Sequence, residues 1–155
     1  MRREHDLLGE LDIPEDAYYG IQTFRSVENF KITGLRLCDF PDFIKGLAYT
    51  KQAAAEANHE LGYLSDEVYK AMIQACKEVA EGKFDKEFVV DMIQGGAGTS
   101  TNMNANEVIA NRANEILGKA KGTYSPCHPN NHVNFAQSTN DAYPTAAKLG
   151  ISLNT

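Results

Sequence analysis

The chain has 155 residues, 43% of them hydrophobic and 23% charged, enough apolar material for one buried core and too much for a disordered segment. Its net charge of −6, with fifteen Lys and Arg scattered along the sequence, offers no basic patch and argues against a nucleic acid or an anionic membrane as partner. No apolar run approaches the ~20 residues that cross a bilayer, and Met1–Asp6 leads into no signal-like stretch, so the cytoplasm is the expected location. The cysteines Cys38, Cys76 and Cys127 are odd in number and lack CxxC spacing, which points to reduced thiols rather than a disulfide framework or a zinc site.

From Gly9 to about Asp39 the pattern is irregular. Pro14, Gly20 and Gly34 punctuate it, and Tyr18, Tyr19, Val27, Phe30 and Ile32 offer packing surface, so short strands or turns fit this arm. A helix follows, with Pro41 in the first turn, Ile44, Leu47, Ala48, Ala54, Ala55 and Leu61 at helical spacing, and Gly62 as its stop. The next helix has Ser65 as cap, Asp66 and Glu67 in the favourable first turn, Val68, Met72, Cys76 and Val79 facing inward, and Gly82 as its end. Phe88–Ile93 is too short for periodicity to separate a buried strand from an extended linker. A third helix is expected from about Asn102 to Leu117, with Gly118 ending it and a loop from Lys119 to Asn131 beyond. From about Asp141 the alanines and Leu149, Ile151 and Leu153 read as a helix in which Pro144 is tolerable only near the start. Nothing before Thr155 signals its end, and the expectation is that the chain is one piece of a longer protein.

Two segments carry chemistry. Gln94 to Asn106 is a glycine-rich turn followed by hydroxyls and amides opening a helix. Glycines let backbone approach a ligand, the free N–H groups of a helix start point outward, and the dipole favours an anion there. Thr99, Ser100, Thr101 and Asn102 add side-chain donors. No Gly-Lys-Ser/Thr follows, which makes a phosphate loop a weak reading. The second segment, His128 to Asp141, repeats the arrangement, with amides and hydroxyls before a helix. Two such starts suit a small dicarboxylate, each carboxylate taking several neutral donors. The plain alternative is that both are capped helix starts and nothing more.

His128 and His132 stand four apart, but Pro129 and Asn130 argue against a helix between them and hence against a metal pair. A loop histidine is more often a surface donor than a base. His5 and His59 read as solvent-facing.

The run Gly95 to Asn111 and the run Ser138-Thr139-Asn140-Asp141-Ala142-Tyr143-Pro144-Thr145 closely resemble the aspartase/fumarase family, as do Asp16–Thr23 and Arg25–Phe30. Within it, Tyr18-Tyr19-Gly20 and Ser138-Thr139-Asn140 look like the aspartase branch, where class II fumarases usually have Trp-Gly and Ser-Ser-Asn. The resemblance implies a mainly α-helical N-terminal lyase domain over 1–139, with a short irregular or β arm, and the start of a central helix bundle over 140–155. It implies a cofactor-independent elimination in which L-aspartate loses a proton beside one carboxylate, passes through an aci-carboxylate and releases ammonia to give fumarate. By motif, Thr99, Ser138, Thr139 and Asn140 would hold substrate and stabilise the oxyanion, with Thr101 and Asn140 near the amino group and carboxylates. His128, Pro129, Asn130 and Asn131 resemble a secondary carboxylate site described for fumarases.

The family's catalytic base, a serine on a mobile Gly-Ser-Ser loop, has no counterpart before Thr155, so no catalytic residue is expected in this stretch and no turnover from it alone. The resemblance further implies a homotetramer whose active sites are shared between subunits. No metal is expected, and activation by Mg2+ is not legible in the sequence. The alternatives are a class II fumarate hydratase and a non-catalytic helical anion-binding or assembly domain.

Overall fold

The computed structural model describes residues 1–155. It is mainly α-helical, as expected, with one small hairpin. The hairpin joins β1 (Arg2–Asp6) and β2 (Gly9–Ile13), antiparallel, with Arg2 opposite Ile13 and Asp6 opposite Gly9. The inward face of β1 is ionic, against Leu11 and Ile13 of β2. Arg2 and Glu4 are buried and paired at 2.8 Å, and the Arg2 guanidinium also donates to the carbonyls of Pro14, Ala17 and Tyr19. One arginine thereby sets the course of the turn that follows.

That turn opens into α1 (Ile21–Asn29), where the sequence pattern suggested only strands or turns. The helix was illegible because its cap, Gly20, has no side chain to accept from the first turn. The missing acceptor comes from far along the chain. The Glu107 carboxylate accepts the N–H groups of Gly20, Gln22 and Thr23 at 2.9, 2.9 and 3.0 Å and the Thr23 hydroxyl at 2.6 Å. Burial pushes the Glu107 carboxyl up to about 7, while these donors and the positive end of the helix pull the other way. Ile32, expected to pack, is 58% exposed on the turn after α1. Asp91 organises that turn by accepting the N–H groups of Ile32, Thr33 and Gly34, and its bond from the Ile93 N–H holds its carboxyl far below the usual range.

Phe88–Ile93 runs extended without forming a regular strand. Phe88 and Val90 are fully buried, and their carbonyls accept from Cys38 and Leu37, with an isolated bridge between Arg36 and Asp91. The helices α2 (Pro41–Glu60) and α3 (Asp66–Ala80) fall where Pro41, Ser65 and the terminal glycines placed them. Ser65 accepts the Val68 N–H, and Gly62 and Gly82 take the positive φ that ends each helix, +81° and +80°. Ile44, Leu47, Ala48 and Ala55 face Val68, Met72, Cys76 and Val79, and each fully buried Leu or Ile stabilises by roughly 2 kcal/mol. Leu61 is an exception to the expected core, at 70% exposed just past the end of α2.

The centre of the molecule is α4 (Thr99–Ile116), which begins three residues before the expected Asn102. Every residue from Thr101 to Asn111 is buried, although five of them are polar amides or carboxylates in addition to Thr101. The asparagines explain how such a helix can be covered on all sides. Asn104 donates to the Glu87 carbonyl and accepts the Val89 N–H; Asn111 does the same for Tyr18 and Gly122, and Asn114 does both for Cys127. Each amide pairs with passing backbone as a neighbouring strand would, so irregular segments around α4 lose no hydrogen bonds.

A single π-helical turn at Pro129–Val133 corrects the expectation that Pro129 and Asn130 preclude helix there. The proline is accommodated because it stands first, where no N–H is required. The last helix, α5 (Thr139–Leu153), carries Pro144 within its first turns and packs along α2. The approach is close: a side chain at Gly46 would collide with the Ala146 carbonyl oxygen. All three cysteines are free thiols.

Candidate active site

The two donor-rich segments meet. Met92–Gln94 and Gly96–Gly98 line one wall of an open hollow of about 450 Å³, and Asn140, Tyr143 and Pro144 line the other. Two contacts fix the walls relative to each other. Gly98, with φ +84°, lies so close against the Tyr143 ring that any β-carbon would overlap it. Beneath the hollow, Asn102 Nδ2 donates to the Thr139 hydroxyl at 3.3 Å.

On the first wall α4 starts at Thr99, after a left-handed glycine that provides no side-chain cap. The backbone N–H groups of Thr99 and Ser100 have no protein acceptor, so the positive end of α4 opens outward. Thr99 is exposed there. Thr101 is not: it is 1% exposed, its hydroxyl accepts from Gln94 Nε2 at 2.8 Å, and its N–H donates to Gln94 Oε1 at 2.8 Å. Thr101 therefore sits under the turn and anchors it through Gln94.

On the second wall Ser138 caps α5, its hydroxyl accepting the Asn140 N–H at 3.1 Å. Ser138 and Asn140 are exposed, and Thr139 is half-buried against Asn102. Thus Asn140 faces the hollow beside the glycine turn, Ser138 organises the cap, and Thr139 ties α5 to α4.

His128 and Asn130 stand elsewhere. With Pro129, Gln22, Glu107 and Tyr124 they line a separate hollow of about 310 Å³ that shares no residue with the first. His128 Nδ1 accepts the N–H groups of Asn130 and Asn131 at 3.1 and 3.3 Å, capping the π turn, while His132 Nδ1 accepts the His128 N–H at 2.9 Å. Burial lowers both imidazoles below their ordinary pKa, His128 being lowered further by His132. Both rings thus spend Nδ1 on backbone. His59, read as solvent-facing, stacks on Tyr69 with centroids 4.0 Å apart and bonds Asp66 at 2.6 Å.

A polar cluster behind the first hollow escaped the sequence reading. Lys51, Asn102, Asn106, Asn134 and Gln137 are joined by hydrogen bonds of 2.9 to 3.2 Å. One signal was available: Lys51 continues the buried face of Ile44, Leu47, Ala48 and Ala55 at helical spacing, where a lysine is out of place.

The chain is 60% identical over 152 residues to the aspartate ammonia-lyase of Pseudomonas fluorescens, a match covering 98% of this chain and 32% of that protein. The aspartate ammonia-lyase of Escherichia coli K12 is 50% identical over 152 residues, covering 97% and 32%. Among solved structures, the fumarate lyase:delta crystallin of Brucella melitensis superposes with a TM-score of 0.96 at 54% identity, covering 99% of this chain and 34% of that one. A class II fumarase from Schistosoma mansoni gives 0.92 at 40% identity, covering 99% and 32%. The chain thus spans about a third of the length of the relatives it matches. The Lyase family model covers residues 9–154, and the chain belongs to that lyase family.

Proposed function

We propose that this chain supplies the carboxylate-binding part of an aspartate ammonia-lyase, which converts L-aspartate to fumarate and ammonia. The observation that carries the reading is that the glycine turn leading into α4 and the first turn of α5 face each other across one hollow, with Gln94 on one wall and Asn140 and Tyr143 on the other, while Thr99, Ser138 and Thr139 lie outside its lining. Proton removal beside a carboxylate places a second negative charge on it. Donors fixed before the reaction stabilise that charge without having to reorganise. Thr99 and the free N–H groups of the first turn of α4 serve one carboxylate, and Ser138, Thr139 and Asn140 the other. Thr101 acts from beneath, holding the turn through Gln94. The departing amine takes a proton, and the base that removes the carbon-bound proton comes from sequence this chain does not contain.

The elimination of ammonia, rather than addition of water to fumarate, is supported by the 50–60% identity to proteins named aspartate ammonia-lyase, against 40% to a class II fumarase. Division into an N-terminal domain over 1–139 and the start of a central bundle over 140–155, a homotetramer with shared sites, and a cytoplasmic location complete the proposal. No helix here is long and apolar enough to cross a membrane.

Two assays test it. The full-length enzyme carrying this segment is expected to form fumarate from L-aspartate and not from malate; turnover of malate alone overturns the proposal in favour of a hydratase. The 155-residue chain by itself is expected to form none, and fumarate production by it would show that the base lies within these residues.

A further inference from the structure

Lys51 is fully buried on α2, and none of the chain's ion pairs includes it. Its ammonium donates instead to two amide oxygens, Asn134 Oδ1 at 3.0 Å and Gln137 Oε1 at 2.9 Å. Asn134 Oδ1 also receives Asn102 Nδ2 at 2.9 Å and Asn106 Nδ2 at 3.2 Å, so one oxygen gathers donors from α2 and α4. Asn134 Nδ2 then donates to the Gln137 carbonyl, and Gln137 Nε2 to the carbonyls of Val133 and Phe135. Every bond in this chain ends on residues 133–137, the turn that leads directly into Ser138.

Stability does not explain the cluster. Burying an ammonium without a carboxylate is unfavourable, and an apolar side chain of the same length would fill the space without that cost. Two further acceptors, Asn102 Oδ1 and Asn106 Oδ1, are buried with no partner at all, because both amides turn their N–H groups toward Asn134. Such an arrangement specifies the position of one turn at the expense of its own hydrogen-bond balance.

We propose that Lys51 is a positioning residue for the carboxylate site: through Asn134 and Gln137 it holds the turn before Ser138 so that the donors of Ser138–Asn140 face the substrate. Lys51 lies behind that turn and acts through it, without touching the ligand. The inference rests on the carboxylate-binding role given above to that turn.

The test uses the full-length enzyme carrying this segment, with L-aspartate as substrate and succinate as inert dicarboxylate. Lys51→Met keeps the aliphatic stem and deletes the ammonium. It is expected to raise KM for L-aspartate and weaken succinate inhibition by about tenfold each, with kcat changed far less, because uniform binding is what is lost. Lys51→Gln, which restores an N–H donor, should recover part of the loss. If Lys51→Met does not fold, Gln137→Leu, which removes one of the two acceptors at a half-buried position, is expected to move KM and succinate inhibition in the same direction. A folded Lys51→Met or Gln137→Leu enzyme with wild-type KM and inhibition overturns the inference. Ser138→Ala and Asn140→Ala are measured alongside: if they raise KM and the Lys51 and Gln137 variants do not, only the positioning role fails. If none of them does, the carboxylate-binding reading fails with it.

Discussion

A buried lysine among amides titrates differently from one on the surface. Burial brings the Lys51 ammonium down to about 7 from its ordinary 10.5, opposed only by the neighbouring Cys76, whose own thiol burial pushes up to about 12. Between those two values the unfolded chain holds a proton that the folded chain has released, so the unfolded state binds more protons and stability rises with pH. Below the lower value both states are charged, and the whole desolvation cost of the ammonium counts against the fold. Glu107 has the opposite sign at lower pH, since its folded form keeps a proton up to about 7 and its contribution falls as pH rises toward that value. The prediction is therefore a difference: urea unfolding at about pH 6 and about pH 9 should show wild-type stability rising relative to Lys51→Met across the interval. Parallel pH dependence in the two proteins would mean that the lysine keeps its proton inside the fold.

Among the elements, the pairing of α2 with α5 is the most sterically exacting. Gly46 brings the two backbones together, and Gly150, on the facing helix, packs less tightly against the backbone of Asp42 and Phe43. Gly46→Ala must push α5 away, since the obstacle is the Ala146 carbonyl and not a side chain that can swing aside. A cost of about 2 kcal/mol is expected, concentrated in faster amide exchange at residues 146–150 while α3 and α4 keep their protection. Elements such as α2 and α3 were legible because their signals are local: Pro41, Ser65, Gly62 and Gly82 all act on their own helix. The start of α1 was not, because its cap is supplied by Glu107 from α4. Of the hairpin, β2 falls in the arm where short strands were expected, but β1 was hidden, since Arg2 and Glu4 fill its inward positions where an apolar alternation would have announced a strand. At the candidate site the same division holds. The glycine turn and the Ser138 cap could be read as helix starts, but that Thr101 turns under to Gln94 depends on the shape of the glycine turn, and the place of Lys51 on the far side depends on contacts across the fold.

The molecule as a whole leaves apolar surface along its last helix. Leu149, Ile151 and Leu153 of α5 are 36%, 68% and 44% exposed, and Ile151 lines a hollow of about 420 Å³ together with Phe40, Phe43, Tyr143 and Ala147. Apolar surface gathered in this way favours association. Sedimentation of the 155-residue chain is expected to show concentration-dependent self-association that Ile151→Lys with Leu153→Lys reduces; a monomer at every concentration in the unaltered chain would count against it. The asparagines of α4 carry a different consequence, one of chemical lifetime. Asn104, Asn111 and Asn114 each point an N–H group at a backbone carbonyl, on Glu87, Tyr18 and Cys127. Deamidation would turn each of these donors into an anionic oxygen facing another oxygen, at a position buried from solvent. The helical backbone around them, held by its own ladder, denies the side chain the approach to the next peptide nitrogen that this reaction needs. The same burial that would make such damage severe therefore also makes it slow, and at these three positions the amides age only as fast as α4 opens.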